Sequence, residues 1–323
     1  MADVLIEPIE DFGLSKKHKV KTLFSKIGVV GCGKEGRNIA RIGSIHGMEV
    51  VFVELSQAKI DEAMAMIEKK LDEAIDHWGM TQGDKRAILS RIKGSTEFSV
   101  LQDCDFVIEA VRSEASGRKI ADRKEVFQKV EEVVDPECII ATNSTTIVIT
   151  ELSSDLKHQD RCLSLHFFTN IEDSKAVEVV RGLYTSDEVY EKVCKFVEMI
   201  NHEVIPVEEA AGLLGVRLYV TLLNEACEAL IEGVGLLPNI DRTMQLGFGM
   251  STGPFELADK IGLDKVVRWM DNLYNEFGKV KYKPSPIIKK LVRARRLGVK
   301  TGIGFYEYNE LGEINKAKYF RTF

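Results

Sequence analysis

The chain has 323 residues, a length that allows two domains, each with its own buried core. Its formal net charge of −6 argues against a nucleic-acid partner, because the chain would repel a polyanion outside a local basic patch. Six widely spaced cysteines without a CxxC pair, and the lack of a long apolar run, predict a cytoplasmic protein with no metal site and no membrane partner.

The segment from Lys26 to Glu54 runs strand, glycine-rich turn, helix and strand, and ends on a carboxylate, in the order that a dinucleotide site requires. Gly31 permits the tight turn, Gly33 lets the backbone approach a pyrophosphate, and Gly36 lets the helix pack closely on the strand. The pyrophosphate is expected at the helix N-terminus, where unpaired N–H groups attract anions. Glu54 is expected to bind the adenine ribose hydroxyls; because it would repel a 2′-phosphate, it favours NAD over NADP.

Two charged residues lie inside this turn. Lys34 and Glu35 separate Gly33 from Gly36, and both are counted with the candidate cofactor-binding residues. Either side chain is able to point to solvent. A carboxylate that faced a pyrophosphate would weaken binding, so the position of Glu35 is unfavourable for that role.

A helical hairpin is predicted after this unit, over about residues 56–93. Ser56 is a candidate N-cap, and apolar residues recur at three- and four-residue steps from Ile60 to Trp78. Glycines then interrupt the pattern, and a second helix is predicted around 84–92.

Further buried-strand candidates alternate with helical stretches, which predicts an α/β fold with a doubly wound, mostly parallel Rossmann-type sheet. From about Pro206 the pattern changes to long helices. We therefore predict an N-terminal extension (1–24), an NAD-binding domain (25–206) and a smaller all-helical domain (207–323). The strand candidates are CDFVIEAV (104–111), CIIAT (138–142), CLSLHFF (162–168) and AVEVV (176–180).

His166 ends an apolar strand at the carboxyl edge of this sheet, where ligands of doubly wound folds bind. Taken alone, such a histidine more often has a structural role. Glu178, however, interrupts the apolar strand AVEVV, and a buried carboxylate needs a partner such as an imidazole N–H. A short connection allows the two residues to meet as an oriented general base, in which His166 takes a hydroxyl proton while hydride leaves the same carbon for the nicotinamide.

The polar run TNSTT (142–146) follows a predicted strand and supplies hydroxyls and an amide at the same edge. A helix N-cap is its alternative role, and the two roles are compatible.

Several motifs together resemble the L-3-hydroxyacyl-CoA dehydrogenase family, which includes 3-hydroxybutyryl-CoA dehydrogenases, from about Lys26 to Tyr308. The motifs are the glycine turn, VIEAV (107–111), TNSTT for the family's SNTSS, HFF followed by VEVV, GPFELAD (253–259) and GVKTGIGFYEY (298–308). The last two are rich in glycine, so we expect them to be architectural. The resemblance implies NAD-dependent interconversion of a short-chain L-3-hydroxyacyl-CoA and the 3-ketoacyl-CoA.

The resemblance also implies roles for individual residues. His166 takes the place of the catalytic base and Glu178 that of its orienting partner. Thr145 stands where the family has a serine that hydrogen-bonds the substrate oxygen. Val216 stands where the family has the asparagine of its GFxxNR motif, which helps to hold the reacting end of the substrate; valine cannot donate a hydrogen bond.

Some further residues are candidates for cofactor or substrate contacts. Glu109 or Glu114 takes the place of a glutamate near the nicotinamide, and an insertion near 112–120 leaves both open. Asn143 is counted with the cofactor-binding residues, and Lys69 and Lys70 are candidates for the CoA phosphates.

Two alternatives to the acyl-CoA reaction stay open. Glu172 and Asp173, in the loop between the strands of His166 and Glu178, motivate a free 3-hydroxy acid as substrate. Val216 motivates an NAD-binding protein with weak or lost catalysis. Because helical domains of this kind have broad apolar faces, we expect a homodimer through the helical domain in each case.

Overall fold

A computed structural model describes residues 24–76, 79–111, 119–168 and 174–321. The predictions that concern residues 1–23, Trp78, Glu114 with most of its insertion, and the loop 169–173 lie outside the described residues.

One large sheet organises the first half of the described chain. All neighbouring strands are parallel except β6 and β7, and the spatial order is β3-β2-β1-β4-β5-β6-β7-β8, which confirms the doubly wound, mostly parallel sheet. The strands are β1 (Lys26–Val30), β2 (Glu49–Val53), β3 (Ile92–Ser95), β4 (Phe106–Glu109), β5 (Ile139–Thr142), β6 (Cys162–Phe167), β7 (Ala176–Arg181) and β8 (Glu203–Glu208). Strand β8 crosses the predicted domain boundary at 206.

The central strands are apolar at consecutive positions because both faces of the sheet are covered. In β4, Phe106 and Ile108 belong to the core on one face, and Val107 belongs to the core on the other. This two-residue alternation directs the side chains of one short strand into two separate cores. The helices that accompany the sheet are α1 (Lys34–Ile45), α2 (Gln57–Asp76), α3 (Gln82–Ser90), α4 (Lys119–Val133), α5 (Ile149–Leu152) and α6 (Asp187–Met199).

Helices α2 and α3 form the predicted hairpin. Helix α2 begins directly after Ser56, and α3 begins at Gln82, two residues before its predicted start. The reason for the earlier start is a capping box, in which Thr81 and Asp84 each accept a hydrogen bond from the backbone N–H of the other.

We refer to the remaining elements as the helical domain. Its core is built around Phe255, Leu263, Met270 and Phe305. It also contains a two-stranded antiparallel sheet that the sequence analysis did not predict. Its elements are α7 (Gly215–Ile231), α8 (Leu237–Arg242), α9 (Pro254–Ile261), α10 (Leu263–Phe277), α11 (Pro286–Arg293), β9 (Tyr306–Tyr308) and β10 (Ile314–Tyr319).

The two glycine-rich motifs of this domain contact each other through Asp259. One carboxylate oxygen accepts the backbone N–H of Phe305, and the other accepts the backbone N–H of Tyr306 and the hydroxyl of Tyr308, each at 2.9 Å. A Cβ on Gly304 would lie 2.0 Å from the Asp259 Oδ1 atom, so glycine is required where the second motif passes this carboxylate. The contacts are architectural, as the sequence analysis expected.

No helix within the described residues combines the length and apolarity that a membrane crossing requires.

Candidate active site

The glycine turn between β1 and α1 has the shape that a dinucleotide needs. Gly31 has a φ of +87°, and a Cβ there would lie 2.9 Å from the Val111 Cα atom. A Cβ on Gly36 would lie 2.0 Å from the carbonyl oxygen of Gly31 and 3.2 Å from the Val29 Cγ1 atom of β1, so the helix packs closely on the strand as predicted. A Cβ on Gly33 would meet no described heavy atom within 4 Å, which leaves this face of the turn open to a ligand. The turn therefore fits a pyrophosphate at the start of α1.

Glu54 follows β2 and is fixed beside this turn. Its Oε1 atom accepts the backbone N–H of Cys32 at 2.6 Å, and its Oε2 atom accepts that of Leu55 at 3.1 Å. Each oxygen retains a lone pair. The carboxylate thus fits a pair of ribose hydroxyls next to the pyrophosphate position.

The two charged residues of the turn differ in their surroundings. Glu35 forms an ion pair with Lys265 of α10, with 2.6 Å between Oε1 and Nζ. Lys34 is the first residue of α1, and its pKa is lowered mainly by desolvation and also by nearby ammonium groups that include that of Lys265. Glu35 is thus paired with the helical domain, an arrangement that the sequence analysis did not foresee.

His166 and Glu178 face each other on the antiparallel strands β6 and β7. The His166 Nδ1 atom lies 2.7 Å from the Glu178 Oε2 atom, and both side chains are buried. Since an ionised carboxylate only accepts hydrogen bonds, Nδ1 carries the proton and Nε2 is left as the acceptor. The Nε2 atom makes no hydrogen bond to a described residue. The prediction that these two side chains meet is confirmed.

The helical domain holds the other oxygen of this carboxylate. Glu178 Oε1 accepts the backbone N–H groups of Leu214 at 3.0 Å and Gly215 at 2.8 Å, where α7 begins. A Cβ on Gly215 would lie 2.6 Å from the Phe168 ring, and that ring packs 4.7 Å from the His166 ring, between centroids. The pair is therefore positioned from both halves of the chain, and a negative charge at the start of a helix is stabilised there.

The polar run after β5 lies beside this pair. Asn143 accepts the backbone N–H of Phe167 with its Oδ1 atom at 3.1 Å, which fixes the amide next to His166. The Thr145 carbonyl accepts the N–H of Gly212 at 2.7 Å, while the Thr145 hydroxyl makes no hydrogen bond to a described residue. Helix α5 begins only at Ile149 and has no side-chain cap, so the alternative role of the run as an N-cap is wrong.

Glu109 belongs to a buried polar cluster at the end of β4. Its Oε1 atom accepts the N–H of Val111 at 2.6 Å, and its Oε2 atom accepts the Thr142 hydroxyl at 2.7 Å and the Arg123 guanidinium at 2.9 Å. These bonds fix the ends of the neighbouring strands β4 and β5 next to the glycine turn. They occupy the carboxylate that the sequence analysis considered for the nicotinamide side, and the other candidate, Glu114, is not described.

Val216 follows Gly215, whose N–H donates a hydrogen bond to Glu178, and is buried. Val216 is 3% exposed and packs in the core of the helical domain with Val220. Val216 therefore contributes to packing at the start of α7, and its assignment to the substrate site stays a prediction. Lys69 and Lys70 are exposed on α2, where Lys70 pairs with Glu73 at 2.6 Å.

Within the described ranges, no group of three histidine, cysteine, aspartate or glutamate side chains is arranged to hold a metal ion.

Known proteins are similar to this chain in sequence and in fold. Residues 26–210 match the family model described as "3-hydroxyacyl-CoA dehydrogenase, NAD binding domain", and residues 212–308 match the corresponding "C-terminal domain" model. A 3-hydroxybutyryl-CoA dehydrogenase of Clostridioides difficile is 35% identical over 285 residues, covering 88% of this chain and 100% of that protein. The crystal structure of M. tuberculosis FadB2 has a TM-score of 0.84 at 30% identity and covers 88% of this chain and 99% of its own. The crystal structure of (S)-3-hydroxybutyryl-CoA dehydrogenase PaaH1 from Ralstonia eutropha has a TM-score of 0.80 at 34% identity and covers 89% of this chain and 100% of its own.

Proposed function

The chain belongs to the 3-hydroxyacyl-CoA dehydrogenase family, and we propose that it interconverts a short-chain L-3-hydroxyacyl-CoA and the 3-ketoacyl-CoA with NAD. The observation that carries the proposal is the buried His166–Glu178 pair at the carboxyl edge of the sheet, in which Nδ1 lies 2.7 Å from Oε2. The sheet edge is also where the cofactor turn ends, so a base and a dinucleotide share one cleft.

In the oxidative direction His166 Nε2 accepts the proton of the substrate hydroxyl. Bound NAD supplies a nicotinamide ring that takes the hydride from the same carbon. Glu178 stabilises the imidazolium that forms, and the N–H groups of Leu214 and Gly215 keep its carboxylate in place. Thr145 donates its hydroxyl to the substrate oxygen. Reduction uses the same groups in reverse, with His166 as the proton donor.

The cofactor is held by the glycine turn and by Glu54. Gly33 and the start of α1 bind the pyrophosphate, and Glu54 accepts hydrogen bonds from the ribose hydroxyls. Because Glu54 repels a 2′-phosphate, NAD is used rather than NADP.

An acyl-CoA is the substrate that the relatives support best. The C. difficile and R. eutropha relatives are both named for 3-hydroxybutyryl-CoA. Lys69 and Lys70 offer exposed ammonium groups to the CoA phosphates. The free-acid alternative depends on Glu172 and Asp173, which lie outside the described residues. The contact between His166 and Glu178 argues against the alternative of lost catalysis.

Oxidation of NADH in the presence of acetoacetyl-CoA or free acetoacetate tests this substrate class. We expect saturable turnover of the CoA ester and a kcat/KM for the free acid at least about a hundredfold lower, since the free acid forfeits all binding energy from the CoA portion. Equal kcat/KM values, or saturation by the free acid without competition from CoA, would contradict the proposal.

The chain is further proposed to act as a cytoplasmic homodimer. Val234, Leu246 and Phe248 of the helical domain are each at least 74% exposed, and exposed large apolar side chains favour burial against a second copy. Sedimentation of the wild type and of Phe248→Glu checks this point: the wild type should sediment as a dimer and the variant at a lower mass.

A further inference from the structure

We propose that Lys265 of the helical domain is a cofactor-affinity residue, which acts by cancelling the charge of Glu35 beside the pyrophosphate position. The inference rests on the proposed NAD-binding function. It concerns Glu35, a carboxylate in the glycine turn, at the second position of α1. The start of this helix is the point at which the turn fits a pyrophosphate.

The contacts of Glu35 make Lys265 its charge partner. The two groups are 2.6 Å apart, although they are separated by 230 positions in the chain. The second oxygen of Glu35, Oε2, is buried and has no hydrogen-bond partner among the described residues. Removal of Lys265 would therefore leave a poorly solvated negative charge beside the position of a doubly charged pyrophosphate.

The side chain of Lys265 is itself held in place. Its ammonium group lies 5.0 Å from the centroid of the Trp269 ring, one turn further along α10. The adjacent residue Asp264 pairs with Lys300, which ties the start of α10 to the glycine-rich motif at 298–308. The helical domain thus supplies a fixed positive charge to the cofactor turn of the other domain.

A purely mechanical role for the ion pair makes a different prediction from charge cancellation. If the pair only held the two domains together, loss of either partner would weaken cofactor binding. If the charge is what matters, loss of Lys265 makes the surroundings of the turn more negative, whereas loss of Glu35 makes them more positive, which attracts the pyrophosphate.

Titration of the full chain with NADH, followed by the fluorescence of the bound cofactor, separates the two roles. We expect K265M to raise the Kd for NADH by on the order of tenfold and E35Q to leave it unchanged or lower it. The double variant, in which neither charge is present, should return to within about twofold of the wild type. The effect of K265M should also shrink as the salt concentration rises.

K192M is the matched control, because it removes an ion pair of 2.7 Å with Glu188 on α6 and leaves the cofactor turn untouched. It should bind NADH as the wild type does. If E35Q weakens binding as much as K265M, or the double variant stays as weak as K265M, the inference is overturned. E35Q retains Lys265 and still distinguishes the two roles if K265M does not fold. Wild-type protein that does not bind NADH would instead overturn the proposed function.

Discussion

Glu178 at the sheet edge and Asp259 in the helical domain are two buried carboxylates that accept the same number of hydrogen bonds but have different roles. Each is 1% exposed, and each accepts two backbone N–H groups and one side-chain donor. The third donor differs. For Asp259 it is the Tyr308 hydroxyl, whose single proton is used in the contact, whereas for Glu178 it is an imidazole with a second nitrogen.

Backbone amides by themselves only fix a buried carboxylate. Chemistry becomes possible where the remaining donor has a second titratable atom that the surrounding structure leaves without a partner. His166 Nε2 is such an atom, because it makes no hydrogen bond to a described residue. The contacts of Asp259 contain no atom of this kind, so this carboxylate stabilises a fold.

His166→Gln removes the titratable atom that sets Glu178 apart from Asp259, and it has the largest expected effect. Glutamine retains a hydrogen-bonding side chain but cannot take a proton, so kcat for acetoacetyl-CoA reduction should fall on the order of 10³-fold. The free energy of unfolding and the Kd for NADH should change little. Steady-state kinetics together with NADH titration checks this, and a variant that keeps more than about a tenth of the wild-type kcat would contradict the role of His166.

Asp259→Ala removes the architectural carboxylate. It leaves two buried N–H groups and one hydroxyl without an acceptor, and at about 1 kcal/mol for each the free energy of unfolding should fall by about 3 kcal/mol. Urea unfolding measures this loss. The kcat of the folded variant should remain within about twofold of the wild type.

Asp155→Ala provides the control for that measurement. Asp155 is half exposed and pairs with Lys124 at the surface, so its loss should cost less than about 1 kcal/mol. Equal destabilisation by the two substitutions would show that the buried network is no stronger than a surface pair.

The contact between His166 and Glu178 could be predicted from the sequence, whereas the backbone groups that hold Glu178 could not. His166 and Glu178 are polar residues in otherwise apolar strands, and such exceptions are visible without a structure. The N–H groups of Leu214 and Gly215 belong to the backbone and depend on how α7 meets the sheet, so side-chain identity gave no signal for them. The Leu213 backbone there has a φ of +49°, which its side chain does not favour.

The same limit applies to contacts between distant segments. The Glu35–Lys265 pair joins residues of two domains, and no periodicity in either segment indicates the other. The β9–β10 hairpin was missed because its first strand lies in a glycine-rich motif that is typical of turns. Val216 was considered only through the family position that it occupies, whereas its burial follows from the packing of α7.

Glu178→Gln tests the orienting role of this carboxylate more narrowly, because it preserves the shape and removes the charge. If the amide oxygen accepts the N–H groups of α7, the amide nitrogen faces His166 and donates to Nδ1, which forces the proton onto Nε2. The base is then lost, and kcat should fall by on the order of a hundredfold with an unchanged Kd for NADH. A kcat within a factor of about three of the wild type would show that Glu178 does not orient the imidazole.

The last expected effect, measured per pH unit and not per substitution, is a pH dependence of stability that arises from Asp259. Burial, and to a smaller extent nearby Asp241, raise the pKa of its carboxyl from the ordinary 3.8 to about 7. The folded state then binds more protons than the unfolded state between about pH 4 and 7. The free energy of unfolding should therefore fall as the pH rises through this range, by on the order of 1 kcal/mol per pH unit.

Asp259→Asn is the reference for this pH dependence, because an amide cannot titrate. The wild type should lose stability relative to this variant from about pH 5 to 7 and then run parallel to it. Urea unfolding of both proteins over this range measures the difference. Two parallel curves throughout would mean that the hydrogen bonds from Phe305, Tyr306 and Tyr308 keep the carboxylate ionised despite its burial.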